Sequence, residues 1–198
     1  MVVTREKFVS YRPIFGWFCC MAEPRQIRNL ALIGFMGTGK SSTGQILAHQ
    51  LGFRFLDTDA LIEERAGVSI SEIFEKSGEA AFRELEGRIV EELASHSETI
   101  ISTGGGLGAN EAHLESLKTH ALVACLWAGP EAIWQRVRHQ SHRPLLSGPD
   151  AQDRIREMLK QRESAYRRAD ILINTEMRSV KDVAQQLLYH FQEARGVS

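Results

Sequence analysis

The run Gly34-Phe35-Met36-Gly37-Thr38-Gly39-Lys40-Ser41-Ser42 has the residue types and spacing of a loop that cradles phosphate. Gly34 and Gly39 allow tight backbone geometry and leave no Cβ between the amides and a ligand. Gly37 lets the loop wrap closely. The amides of the loop and of the first helical turn have no intrahelical partner, so they can face an anion. Lys40 is a flexible point charge able to span β- and γ-phosphates, and the Ser41 hydroxyl can ligate Mg²⁺. The nucleotide-binding set on this reading is Gly37, Thr38, Gly39, Lys40, Ser41 and Ser42. The chemistry implied is transfer of a γ-phosphoryl group from a nucleoside triphosphate.

Other residues supply what such a transfer needs. In Asp57-Thr58-Asp59 the strand period of two would place both carboxylates on one side of an extended segment. One can sit near Mg²⁺ with Ser41; the other can orient an acceptor hydroxyl or take its proton. The competing reading is a solvent-facing pair with one aspartate capping the next helix. Arg83 and Arg162 are candidates to bind an acceptor carboxylate through a planar, bidentate cation. Glu86, one helical turn beyond Arg83, could hold its guanidinium in place. Gly104-Gly105-Gly106 offers bare backbone for close approach by a compact ring. Arg143 could swing over the transferring phosphoryl, while Arg136 and Arg138 could contact nucleotide phosphates. His96, His113, His120, His139 and His142 read as surface or loop residues, and Trp127 and Trp134 as core or adenine-side packing.

These residues need elements to hold them. An apolar run at 29–33 reads as a strand feeding the phosphate loop, and residues 43–51 as the helix after it. A second strand, 53–56, ends at the aspartates, and a short helix follows to Gly67. Ser69 with Glu72 forms a candidate capping box. Gly78 separates that short helix from a longer one, 79–95. Further strands are expected at 99–103, 121–127 and 170–174, with helices at 110–118, 130–138 and 151–168. Ser179 caps a final helix, with residues 190–198 expected to fray. Residues 139–150 are polar, hold Pro144, Gly148 and Pro149, and read as a lid. Alternating strands and helices argue for a parallel α/β sheet covered on both faces, with ligands at the strand ends.

With 198 residues, 25% charged and 43% hydrophobic, the chain suits one α/β domain. A net charge of -1 gives no basic field for nucleic acid. Cys19, Cys20 and Cys125 make neither a disulfide framework nor a metal cluster, and Cys125 reads as a buried core thiol. Residues 1–24 read as an N-terminal extension; its apolar run, Ile14-Phe15-Gly16-Trp17-Phe18-Cys19-Cys20, is too short to span a bilayer. Residues 25–198 read as a single domain, with the acceptor-binding region at about 57–86.

The ordered set Gly34-x-x-Gly37-x-Gly39-Lys40-Ser41, Asp57-Thr58-Asp59, Phe82-Arg83-x-x-Glu86, Gly104-Gly105-Gly106, Arg143-Pro144-Leu145-Leu146 and Arg162-x-x-x-Tyr166 resembles the shikimate kinase family over residues 27–188. That resemblance implies a three-layer P-loop fold with a five-stranded parallel sheet in the order 2-3-1-4-5. It implies transfer of the γ-phosphate of ATP, with Mg²⁺, to the 3-hydroxyl of shikimate, a step of chorismate and aromatic amino acid biosynthesis. By resemblance, Asp59 is the catalytic carboxylate and holds shikimate hydroxyls, with Lys40 and Arg143 as further catalytic groups. Arg83 and Arg162 bind the shikimate carboxylate, and Gly104, Gly105 and Gly106 touch the ring. Asp57 lies near Mg²⁺ with Ser41 as a direct ligand; Arg136 and Arg143 lie on the nucleotide side, and Arg178 is placed beside adenine. The expected partners are shikimate and ATP, with no nucleic acid or membrane, in a cytoplasmic monomer. The alternatives are a gluconate kinase-like small-molecule kinase and a nucleotide-binding regulatory protein without catalysis.

Overall fold

The computed structural model describes residues 25–138 and 150–196. The N-terminal extension 1–24 and nearly all of the candidate lid, 139–149 with Arg143, His139 and His142, lie outside the described residues, as do residues 197–198. Strand β1 (Asn29–Ile33) leads through the phosphate loop into α1 (Lys40–Leu51). Strand β2 (Arg54–Asp57) passes directly into α2 (Thr58–Ala66), and α3 (Ile70–Leu93) follows. Then come β3 (Thr99–Ser102), α4 (Glu111–His120), β4 (Ala121–Trp127) and α5 (Pro130–Val137). Helix α6 (Ala151–Tyr166), β5 (Ile171–Asn174) and α7 (Val180–Arg195) complete the order.

All strand pairings are parallel, in the order β2-β3-β1-β4-β5, as expected from the sequence. The three central strands, β3, β1 and β4, are buried on both faces because helices cover both. On one face Ala31, Ile33, Ile101, Val123 and Cys125 pack with residues of α3, α4 and α5. On the other, Leu30, Leu32, Ile100, Leu122 and Ala124 pack against α1 and α7. The register sets Asp57 opposite Ser102 and Ser102 opposite Leu32, so these strand ends finish level at one edge.

Local signals place the helices. Ser69 and Glu72 form the reciprocal capping box, and Gly78, at φ 77 and ψ 176, interrupts α3 at the expected position. Pro130 starts α5, and Asn110 caps α4 by accepting from the amides of Ala112 and His113.

Several expectations need correction. Helix α7 does not fray at residue 190: it continues to Arg195, because Phe191 is wholly buried one turn after Leu187. His120 is not a surface residue; it is 1% exposed and its Nδ1 lies 3.0 Å from Asn29 Nδ2. Of the two readings for the tryptophans, core or adenine-side packing, Trp134 packs against the core, while Trp127 closes β4 with 38% exposure and fits only the second. Cys125 is the buried thiol expected, and burial raises its pKa to about 12.

Candidate active site

The phosphate loop owes its path to glycine. Gly34, Gly37 and Gly39 take φ of 133, 75 and 93°, a region costly for residues with a Cβ. At Gly34 a Cβ would stand 2.1 Å from the backbone oxygen of Leu126, so β4 itself excludes a side chain. Lys40 Nζ donates to the carbonyls of Gly34 and Phe35 at 2.9 Å each, and Thr38 Oγ1 donates to Phe35 O at 2.8 Å. The lysine is thereby held folded over its own loop.

A cleft of about 280 Å³ opens beside that loop. Its walls include Met36, Gly37, Lys40, Ser41, Asp57 and Asp59, so the lysine and both aspartates face one space. Ser41 Oγ donates to Asp57 Oδ2 at 2.9 Å and lies 3.3 Å from Ser102 Oγ. These hard oxygen donors sit at the end of β2 and the start of α1, where a divalent cation bridging to phosphate would want them. Among the described residues no group of three or more His, Cys, Asp and Glu could form a protein-only metal cage.

The aspartate pair meets by a different route from the one strand periodicity suggests. The chain turns helical at Thr58, so Asp57 is the N-cap of α2 and Asp59 lies in its first turn. Asp57 Oδ1 accepts from the Asp59 amide at 3.1 Å. Asp57 caps α2 through Oδ1, while its Oδ2 accepts from Ser41 at the cleft.

The bare glycines also make room within the protein itself. A Cβ on Gly104 would come within 2.1 Å of Asp59 Oδ1, and one on Gly106 within 2.5 Å of Arg83 Nη1. At these two positions the Asp59 and Arg83 side chains already occupy the space that a Cβ would take. Thr58 Oγ1 accepts from the Gly104 amide at 2.8 Å, tying β3's end to α2.

Arg83 and Arg162 approach this strand end from α3 and α6. Arg83 Nη1 donates to Glu86 Oε2 at 2.6 Å and its Nη2 to Glu79 Oε1 at 2.8 Å. Glu86 is 1% exposed, and its Oε1 has no hydrogen-bond partner among the described residues. Burial raises the Glu86 pKa, opposed by Arg83 and Arg162. Burial lowers the Arg83 pKa, but Glu86 and Glu79 more than offset this and the net shift is upward. Glu86 therefore positions Arg83 as its spacing suggested. Arg162 Nη1 donates to Gly105 O at 2.9 Å, and its guanidinium lies 5.3 Å from the Phe35 ring centroid.

On the other side, Arg136 donates to Gly37 O at 3.2 Å and to Thr175 O at 2.6 Å, linking the phosphate loop to the segment after β5. Arg178 lies apart from the cleft lining and pairs with Gln186 on α7. Ser42 and Gly39 line the cleft, and Thr38 is buried within the loop. Sequence reading missed Ser102, Phe35 and Tyr166 as site residues. Only Tyr166 carried a signal, its place one turn after Arg162.

The matches to known proteins agree with this layout. A family model described as shikimate kinase matches residues 36–192. The shikimate kinase of Geobacter sulfurreducens is 42% identical over 173 residues, 87% of this chain and 96% of that protein. That of Thermodesulfovibrio yellowstonii is 37% identical over 166 residues, 84% of this chain and 96% of its relative. A structure of shikimate kinase from Acinetobacter baumannii in complex with shikimate superposes with a TM-score of 0.80 at 36% identity, covering 85% of this chain and 95% of that one. With the phosphate loop, the aspartate pair and both arginines gathered at one sheet edge, and matches running nearly the full length of its relatives, the chain belongs to the shikimate kinase family.

Proposed function

We propose that this protein transfers the γ-phosphoryl group of ATP to the 3-hydroxyl of shikimate, giving shikimate 3-phosphate and ADP. The observation that carries the reading is that Lys40 and Asp59 line the same cleft. A phosphoryl donor held by the loop and an acceptor hydroxyl held by Asp59 would meet between them.

Each residue then has a task. The amides of residues 37–42 and the Lys40 ammonium hold the β- and γ-phosphates, with Arg136 on the nucleotide side. Arg178 remains the candidate beside adenine. Ser41 and Asp57 would hold Mg²⁺, which when bound neutralises charge on the phosphate oxygens. Arg83 and Arg162 bind the acceptor carboxylate, and the 104–106 backbone lies against the ring. Asp59 orients the 3-hydroxyl and takes its proton as that oxygen bonds to the γ-phosphorus. The bond from phosphorus to the bridging oxygen of ADP breaks on the opposite side. Arg143, in the candidate lid, would stabilise the transferring group. Asp59 has an anchored backbone, which limits the misplacement that such transfers punish.

The partners on this reading are shikimate and ATP, and the working state is a cytoplasmic monomer that binds neither nucleic acid nor membrane. No described helix is long and apolar enough to cross a membrane. A coupled ADP-release assay with ATP and Mg²⁺ tests the reading across shikimate, quinate, gluconate and no acceptor. Turnover that depends on shikimate is expected. Equal ADP release without acceptor, or a preference for gluconate, would overturn it.

A further inference from the structure

Arg162 is the acceptor-side arginine whose own support is unusual. It has no carboxylate within salt-bridge distance among the described residues, in contrast to Arg83 with Glu79 and Glu86. A flexible guanidinium without a fixed partner would sample many positions, and ordering it on binding would cost affinity. Two features of the fold take the place of a carboxylate.

The first is the Gly105 carbonyl. It accepts from Arg162 Nη1 at 2.9 Å and from Tyr166 Oη, also at 2.9 Å. Arg162 and Tyr166 are one turn apart on α6, so both reach the same oxygen from one helix face. Tyr166 is 5% exposed, and burial raises its pKa to about 12, with Arg162 pulling the other way. The phenol is therefore a fixed donor at neutral pH. The second is the Phe35 ring beneath the guanidinium. Phe35 is 1% exposed, and its own carbonyl is pinned by Lys40 and Thr38. The ring cannot drift without disturbing the phosphate loop.

We propose that Tyr166 and Phe35 are positioning residues that fix Arg162 from two sides, one through the Gly105 carbonyl and one through the ring face. Neither touches the acceptor; both act by preparing the arginine that does. The inference deepens the reading of this site as a shikimate kinase active site and rests on it.

Kinetics separate this role from ordinary packing. Tyr166→Phe keeps the ring and removes only the hydroxyl, and the Gly105 oxygen retains the bond from Arg162, so no buried acceptor is left bare. The expected result is a 5- to 10-fold rise in KM for shikimate, the loss of about one hydrogen bond, with KM for ATP within twofold of the parent. Phe35→Leu should raise the same KM about 3- to 10-fold through the lost ring face. In an Arg162→Lys background, where the guanidinium is gone, Tyr166→Phe should change the shikimate KM by less than twofold. An unchanged shikimate KM in Tyr166→Phe overturns the proposal. So does an equal rise in both KM values, or the full effect persisting in the Arg162→Lys background. Thermal unfolding of each variant shows that the protein assayed is folded. Failure of the parent to use shikimate would instead strike the assigned reaction, so the two failures are distinct.

Discussion

Adding one methyl group at Gly104 should damage catalysis while sparing the fold. A Cβ there would stand 2.1 Å from Asp59 Oδ1, 3.0 Å from Cγ and 3.2 Å from Oδ2, so its three nearest atoms all belong to that one side chain. The backbone at Gly104 is not in the left-handed region. Its amide bond to Thr58 Oγ1 and its carbonyl bond from the Leu107 amide need no change. The strain therefore falls on a carboxylate, which must retreat by about 1 Å to reach ordinary contact. A displacement of that size in a positioned group costs about 10²-fold in rate, or about 2.7 kcal/mol of transition-state stabilisation. We expect Gly104→Ala to lower kcat for shikimate phosphorylation about 100-fold in the coupled ADP-release assay. Nucleotide affinity should hold within about threefold, and Tm should move by no more than about 3 °C. Gly34→Ala is the contrasting control. Its Cβ also lands at 2.1 Å, but on the Leu126 backbone oxygen inside β4, and at a φ of +133°. That obstacle cannot rotate away, so unfolding is the expected loss there. A Gly104→Ala protein with parental kcat would refute the reasoning, as would one as destabilised as Gly34→Ala.

Asp59→Asn should lower kcat by at least about 10²-fold, the usual worth of a positioned base, while ATP binding by titration calorimetry persists; equal rates would remove Asp59 from its role. Arg83→Ala should raise the shikimate KM about 10- to 100-fold, as for a lost charge-assisted hydrogen bond. A loss confined to ATP affinity would contradict that placement. Burial holds the His120 pKa low, with Arg28 and His96 adding repulsion, so the folded state keeps it neutral. The unfolded chain then binds the extra proton first, and stability should fall as pH drops below about 6.5 towards the lower folded value. Tm against pH should show that decline in the parent and a shallower one in His120→Asn; parallel curves would assign the acid loss to other groups.

Elements were legible in the sequence where short-range chemistry decides them. Strand β4 is apolar throughout because both its faces are covered. Ser69, Gly78, Asn110, Pro130 and Ser179 each act within a few residues of where they stand, so helix starts and the break in α3 could be read directly. What escaped depends on distant partners or on a boundary. His120 looks like a polar helix end until Asn29, on β1, is seen to lie 3.0 Å away. Phe191 had a signal in its spacing from Leu187, which outweighs proximity to the terminus. The aspartate pair was right as a pair and wrong in cause, since one residue of helix at Thr58 replaces strand alternation with a cap.

The glycine triplet shows why such a site is easier to recognise than to explain from sequence. Three successive positions on the turn after β3 meet three different parts of the site. Gly104 makes room for Asp59, and Gly106 for Arg83. Gly105 lies 3.6 Å, from its would-be Cβ, to both Arg162 Nη1 and the Met36 amide of the phosphate loop. The groups come from α2, α3, α6 and the loop before α1, separated widely in the chain, and they converge because β3 lies between β1 and β2. On the proposed reading, one stretch of bare backbone therefore separates the carboxylate that takes the proton from the guanidinium that holds the acceptor. A methyl group at position 104 should act on kcat and one at 106 on the acceptor KM. If both instead changed the same parameter by the same factor, the turn would be a common packing spacer and not a divider between two functions.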